Sequence, residues 1–161
     1  MTRWRKALND GAFSGGMASA LSSLVLAWRG SVDLGAGAAP LNAPAHWLSR
    51  RALGRDGASL RYTAVGMVIH HLSSIFWAFF YEWIAARRRS ESPAAELRDA
   101  LAVAALAAVV DYQVVPRRFT PGFEQRLTRH SLVWVYAAFA AGLFLGSRLA
   151  AASTAQAGAG R

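Results

Sequence analysis

The sequence predicts an all-α membrane protein, a bundle of four transmembrane helices with a short amphipathic interfacial helix in the first loop. Three observations lead there. Hydrophobic residues make up 54% of the 161 positions, more than a soluble domain of this size usually carries. Residues 62–86 form an apolar run of 25 with one acid, Glu82, and no proline, and about 20 such residues cross a hydrocarbon core of roughly 30 Å. The basic residues, behind a net charge of +9, fall between the apolar runs and not along one face. That is the pattern of loops meeting anionic headgroups. A bilayer with anionic lipid is therefore the expected partner, and nucleic acid is not. Cysteine is absent, which excludes disulfides, thiolate metal sites and a cysteine nucleophile. One membrane domain over residues 1–161 is expected.

The first span covers about 11–28, opened by the capping residues Asn9 and Asp10. The basic start, Arg3, Arg5 and Lys6, resembles that of a signal peptide. The one A-x-A sequence, Ala18-Ser19-Ala20, falls in the middle of the run, so the span is read as uncleaved. Gly15, Ser19 and Ser23 recur every four residues, a spacing that lets two helix backbones approach closely in lipid. Trp28 and Arg29 mark an interface. Residues 30–43 are rich in Gly, Ala and Pro and read as loop. Asn42 and Pro44 then open, and Gly54 closes, a helix over about 43–54. Its apolar Trp47, Leu48, Ala52 and Leu53 alternate with Arg50 and Arg51, which suits a helix lying on the membrane surface.

The second span is 62–86, capped by Asp56 or Ser59 and stopped by Arg87-Arg88-Arg89. The third, about 97–115, follows the cap and first-turn pair Ser92-Pro93, with Glu96 where the helix dipole favours an acid. Pro116 ends it. Its uncharged part is short, but from Pro93 to Val115 the helix reaches about 34 Å. Thr120-Pro121 begins another helix, whose apolar part, about 131–148, is the fourth span. Ala138, Gly142 and Gly146 make a second small-residue stripe there, and Arg148 closes it. The tail, 150–161, is expected to be flexible. Four spans put both termini on one side. Basic residues divide nine to nine between the two sides, and the charges before the first span and the Arg87–Arg89 cluster weigh most. Cytoplasmic termini follow. A single lysine and abundant alanine point to a GC-rich bacterial genome, hence to an inner (plasma) membrane.

Antiparallel spans allow depths to be matched. Asp111 lies five residues before Pro116, and His70 and His71 lie eight and nine residues after Tyr62. Their levels differ by about 4.5–6 Å, and His130 starts the fourth span on the same side. His70, His71, Asp111 and His130 are thus a candidate intramembrane polar cluster, and ionisable groups at that depth are functional candidates. Hydrogen-bonded attachment between helices is the plainer reading of the same residues. His70, Ser74, Trp77 and Tyr81 share one helix face, and His71 points about 100° away. No HxxxH or HxxE spacing occurs in a span, so no metal site is assigned. At the other end, Glu82 is expected to form an interfacial ion pair with Arg148 or Arg98. There is no GxSxG, no HExxH and no phosphate-cradling glycine loop followed by lysine. No catalytic residue and no cofactor is assigned.

Several of these residues carry a family likeness. They are the glycine-rich first span, His70 followed by Ser74, Ala78 and Tyr81, then Pro116, Thr120-Pro121 with an acid soon after, and His130-Ser131-Leu132-Val133-Trp134. Over about a third of its length the chain resembles the YagU-like bacterial inner-membrane proteins. It is shorter than they are, and His130 is offset by one residue from their pattern. The resemblance implies a four-span inner-membrane bundle and brings no catalytic residues. The expected role is that of a small polytopic membrane protein without enzymatic activity, structural or accessory. Its protein partners would be further copies of itself or a larger membrane complex. The alternative is proton- or ion-coupled transport, or a pH response, through the His/Asp cluster.

Overall fold

The computed structural model describes residues 3–87 and 92–159. Arg88 and Arg89 of the expected stop cluster, and the last two residues of the tail, lie outside the described residues. The described chain is helical, with no strand among its residues. Its α-helices are α1 (Arg3–Leu34), α2 (Ala38–Asn42), α3 (Val65–Ala85), α4 (Pro93–Val109) and α5 (Arg129–Ala159). Three helical stretches are long and apolar enough to cross a membrane: Ala7–Leu34, Leu60–Ala85 and Arg129–Thr154. The chain is in that respect a membrane protein by length and composition.

Helix α1 packs against α5 and α3, and α4 packs against α5 and α3 in turn. Each of these neighbours runs antiparallel. Against α1, Ile75 of α3 lies over Gly15 and Phe79 over Gly11, while Gly142 of α5 lies over Ala18 and Gly146 over Ser14. The missing side chains set these distances. A Cβ built on Gly15 would stand 2.6 Å from Ile75 Cα, and one on Gly146 would stand 2.6 Å from Ser14 Cα. At Gly142 it would run into the Ala18 backbone. Such close approach is how apolar helices gain dispersion contact where no hydrophobic effect draws them together. Ser23 also faces α3, with its hydroxyl on Met67 Sδ at 3.6 Å, and Ser19 is buried. Ser14, Ser22 and Ser74 return their hydroxyls to the carbonyls of Asp10, Ala18 and His70 four residues earlier. This satisfies each hydroxyl without a partner helix.

The main core joins Ala18, Ala78, Tyr81, Ala100, Val103, Ala104, Phe139, Ala140 and Leu143. The alanines of α4 bring it close to Tyr81 and Phe139 at this end. A second core, beneath the loops at the other end, holds Leu26, Ala43, Phe123, Leu127 and Val135.

Several boundaries differ from the sequence reading. The region 30–43 is mostly helical: α1 continues to Leu34, where Gly35 takes a positive φ of 67° and stops it. The N–H groups of Gly35 and Ala36 return to Ser31 and Gly30 oxygens. Loop composition failed as a guide because Gly30 is needed for contact: a Cβ there would stand 2.6 Å from Pro40 Cδ. The segment 43–54 forms two 3-10 turns, Ala43–Trp47 and Arg50–Gly54, in place of one helix. Ala43, Pro44, Ala45, His46 and Ala52 are buried in the protein, while Leu48 is 78% exposed. Helix α3 is preceded by a π turn, Leu60–Ala64, capped by Ser59, whose hydroxyl accepts from Tyr62 N–H. Asp56 pairs with Arg126 instead.

Pro93 occupies the first turn of α4 as expected, and a π turn, Val110–Val114, extends that helix until Val115 becomes extended before Pro116. Thr120-Pro121 does not start the last helix. Thr120 Oγ1 bonds Glu124, a 3-10 turn spans Phe123–Gln125, and α5 begins at Arg129. Its far end is helical to Ala159, in keeping with the high helix propensity of its alanines.

Because Gly142 touches backbone and not a flexible side chain, Gly142→Val should be strongly destabilising. Overpacking of this kind costs about 1–3 kcal/mol. Thermal unfolding of the detergent-purified protein should show a clearly lowered midpoint, whereas Ala138→Val, at a half-buried position, should shift it much less.

Candidate functional site

The helices that meet tightly at the Tyr81–Ala100 end separate toward the loops. Between α3, α4 and α5 they leave a cavity of about 420 Å³, within the ~300–1,000 Å³ range of ligand pockets. Helix α3 supplies Ile69, His70, Ser73, Ser74 and Trp77, the end of α4 supplies Ala107, Val110 and Asp111, and α5 supplies Val135, Tyr136 and Phe139. Ser22 of α1 also lines it, and Pro44, Trp47, Phe119 and Phe123 close it from the loops. Leu72 and Phe76 line it too, and they are 60% and 56% exposed on the outer surface of α3. The cavity therefore opens sideways beside α3, and does not end inside the bundle.

The polar groups in this apolar wall are few and held. Tyr136 Oη donates to Asp111 Oδ2 at 2.6 Å, and the Tyr136 ring meets Tyr112 edge-on. His70 Nε2 is 2.9 Å from Ser22 Oγ. The Ser22 proton goes to Ala18 O at 2.6 Å, so Ser22 Oγ accepts and His70 Nε2–H donates. Phe123 meets the His70 ring edge-on at 5.7 Å.

Of the four residues grouped from the sequence, His70 and Asp111 line this one cavity. His71 and His130 are exposed and do not line it. His71 occupies the helix face beside Gly16, and His130 lies at the solvent side of the first turn of α5. Among the described residues, no group of three His, Asp or Glu side chains could hold a metal ion.

The loops that roof the cavity interlock. Trp47 Nε1 donates to Thr120 O at 2.8 Å, and Arg126 donates to Leu53 O at 2.8 Å and pairs with Asp56. Gly122, at φ 80°, packs on His46, whose Nδ1 bonds Ala43 O. Asn42 is not the helix cap read from the sequence: its backbone is already helical and its side chain makes no cap bond. Fully buried, it donates to Arg55 O and Gly57 O and accepts from Thr63 Oγ1 at 2.6 Å. One amide thus ties the returning loop to the start of α3. A second polar cluster joins α1 to α5. Asp33 accepts from Arg29 at 2.9 Å, from Ser131 Oγ at 2.6 Å and from Thr128 N–H and Oγ1 at 3.1 Å. A carboxylate there meets the positive end of the α5 dipole. Thr128, whose Oγ1 accepts from Ser131 N–H at 3.3 Å, caps this helix start and was the available signal for it.

At the opposite end the charged residues expected to pair lie together. Arg148 pairs with Glu96 at 3.0 Å, and Arg98 with Asp99 at 3.4 Å. Buried Glu82 accepts from Ser147 Oγ at 3.1 Å. Neighbouring positions on a helix point about 100° apart, so Ser147 faces α3 while Arg148 faces α4. Comparison with protein-family models, with curated proteins and with solved structures gives no match.

Asn42→Asp should destabilise the protein about as much as Asn42→Ala, or more. The carboxylate keeps the acceptor for Thr63 but sets negative charge against two carbonyl oxygens, and an unmet buried polar group costs ~1–3 kcal/mol. Thermal midpoints of the two variants test this; an Asp variant as stable as the parent would remove the donor role of Asn42.

Proposed function

We propose that the chain is a four-span integral protein of the bacterial inner membrane, without catalytic activity, serving as a structural or accessory component. The observation that carries this reading is the division between interior and exterior. Glycine, alanine and serine fill the helix seams, while large apolar side chains point outward from every long helix: Leu24 at 68%, Val68 at 56%, Leu106 at 54% and Val133 at 69% exposed. In water such a surface invites aggregation; in lipid it is the ordinary exterior. Helix α4 joins the three longer spans because its outer face carries Leu101, Leu106 and Val109, and because Pro93–Val114 measures about 33 Å. Its charged first turns, with Glu96, Arg98 and Asp99, then sit at the headgroup level beside Arg148. The YagU-like resemblance supports the same assignment. The exposed Leu48, Arg50 and Arg51 sit on the membrane surface in this arrangement.

A second reading, ion- or proton-coupled transport, is favoured by one observation: His70 and Asp111 line the same cavity.

Washing membranes with alkaline carbonate should leave the chain in the pellet; release into the supernatant would end the membrane reading. The absence of native cysteine makes the span count testable as well. Ser92→Cys and Arg118→Cys should react with an impermeant maleimide from opposite sides, and labelling from the same side would remove α4 from the spans.

A further inference from the structure

We infer that the cavity between α3, α4 and α5 is a binding site for a lipophilic organic cation, a quaternary ammonium or phosphonium carrying apolar substituents. The inference rests on the membrane reading, because the mouth beside Leu72 and Phe76 then opens to the bilayer, where such cations concentrate.

Charge selects the ligand class. Asp111 is the carboxylate of the cavity wall, and among the described residues no lysine or arginine lines it. A phosphate-bearing lipid head would meet Asp111 with no compensating cation. A wholly apolar chain would leave the carboxylate in low dielectric with the Tyr136 hydroxyl as its hydrogen-bond donor, an unfavourable state for a charge. A diffuse cation supplies the missing counter-charge at little desolvation cost of its own.

Shape and wall chemistry agree. Trp47, Phe76, Trp77, Phe119 and Tyr136 line the same cavity as Asp111, and Tyr136 is in direct contact with it. Aromatic faces attract cations through their quadrupole, and aromatic cages recognise quaternary ammonium groups in this way. The volume of about 420 Å³ fits a ligand of drug size. Tyr136 has two parts to play, one through its ring and one through the hydroxyl that orients Asp111.

The test uses the full chain in neutral maltoside micelles, with empty micelles as the reference, and equilibrium dialysis of two probes. Tetraphenylphosphonium and tetraphenylborate have nearly the same shape and opposite charge. The phosphonium should bind at one per chain and the borate at least tenfold more weakly. Equal binding of the two ions would overturn the proposal, and this comparison requires no variant. Asp111→Asn should lower phosphonium affinity at least tenfold while Asp99→Asn, at the opposite end of the bundle, leaves it unchanged. Undiminished binding by a folded Asp111→Asn protein would also overturn it. Binding in micelles is read separately from carbonate extraction, so failure of the site and failure of the membrane reading give different results.

Discussion

The approach of two helix backbones to α1 is the constraint on which the other features depend. At Gly15 the α3 backbone comes so near that a Cβ would stand 2.6 Å from Ile75 Cα, and Gly142 meets the Ala18 backbone in the same manner. Between apolar helices in lipid, dispersion and packing must supply what water supplies elsewhere, and dispersion falls away over a gap of an ångström. Side-chain volume on these seams would therefore weaken the bundle twice, by strain and by lost contact. With α1 held on both sides, α3 and α5 are placed as flanking walls. Helix α4 closes against them through Ala100, Val103 and Ala104.

That closure is uneven, and the unevenness makes the cavity. Near Tyr81 the facing residues of α4 are alanine and valine, so the walls meet. Toward the loops the wall residues become Trp77, Phe76, Phe139 and Tyr136, and the chain leaves α4 through a π turn. Large rings hold the helices apart without filling the space between them. His70, Asp111 and Tyr136 lie at this wider end, where the loops also return. Trp47 and Arg126 donate to loop carbonyls, which ties the roof together above the cavity of His70 and Asp111.

Periodicity carried much of this into the sequence. A strict four-residue recurrence of small residues marks a seam whatever its partner, so Gly15, Gly142 and Gly146 were legible as packing positions. The long apolar runs were legible as helices for the same reason. Matching depths along antiparallel helices put Asp111 and His70 at similar levels, because rise per residue is fixed, and both line one cavity. Rotation about each helix was less accessible: adjacent His71 shares the depth of His70 but not its face, and His130 turns outward in the first turn of α5. The loops were the least legible part. Asn42, Asp33 and Arg126 act across 13 to 98 residues of sequence, and no local pattern encodes a partner at that distance. Gly30 misled for a related reason, since its lack of a side chain serves Pro40 and not a turn of its own.

A seam built on a repeat of four residues has a weakness of its own. Sliding one helix by four positions, about 6 Å along the axis, brings small residues over small residues again, so the seam fixes distance better than register. The polar contacts remove that ambiguity. Asp33 reaches Thr128 and Ser131 only when the end of α1 stands at the start of α5, and Ser22 reaches His70 in one alignment of α1 with α3. A four-residue slip would take Asp33 away from its hydroxyl and amide donors and leave the His70 imidazole, in the wall of an apolar cavity, without Ser22; a buried polar group left unmet costs about 1–3 kcal/mol. Close packing thus supplies cohesion, and a few directional hydrogen bonds select which of the closely packed arrangements is adopted. The same selection brings Asp111, Tyr136 and His70 to one cavity, because each lies on a helix whose register against α1 or against a neighbour of α1 is already fixed.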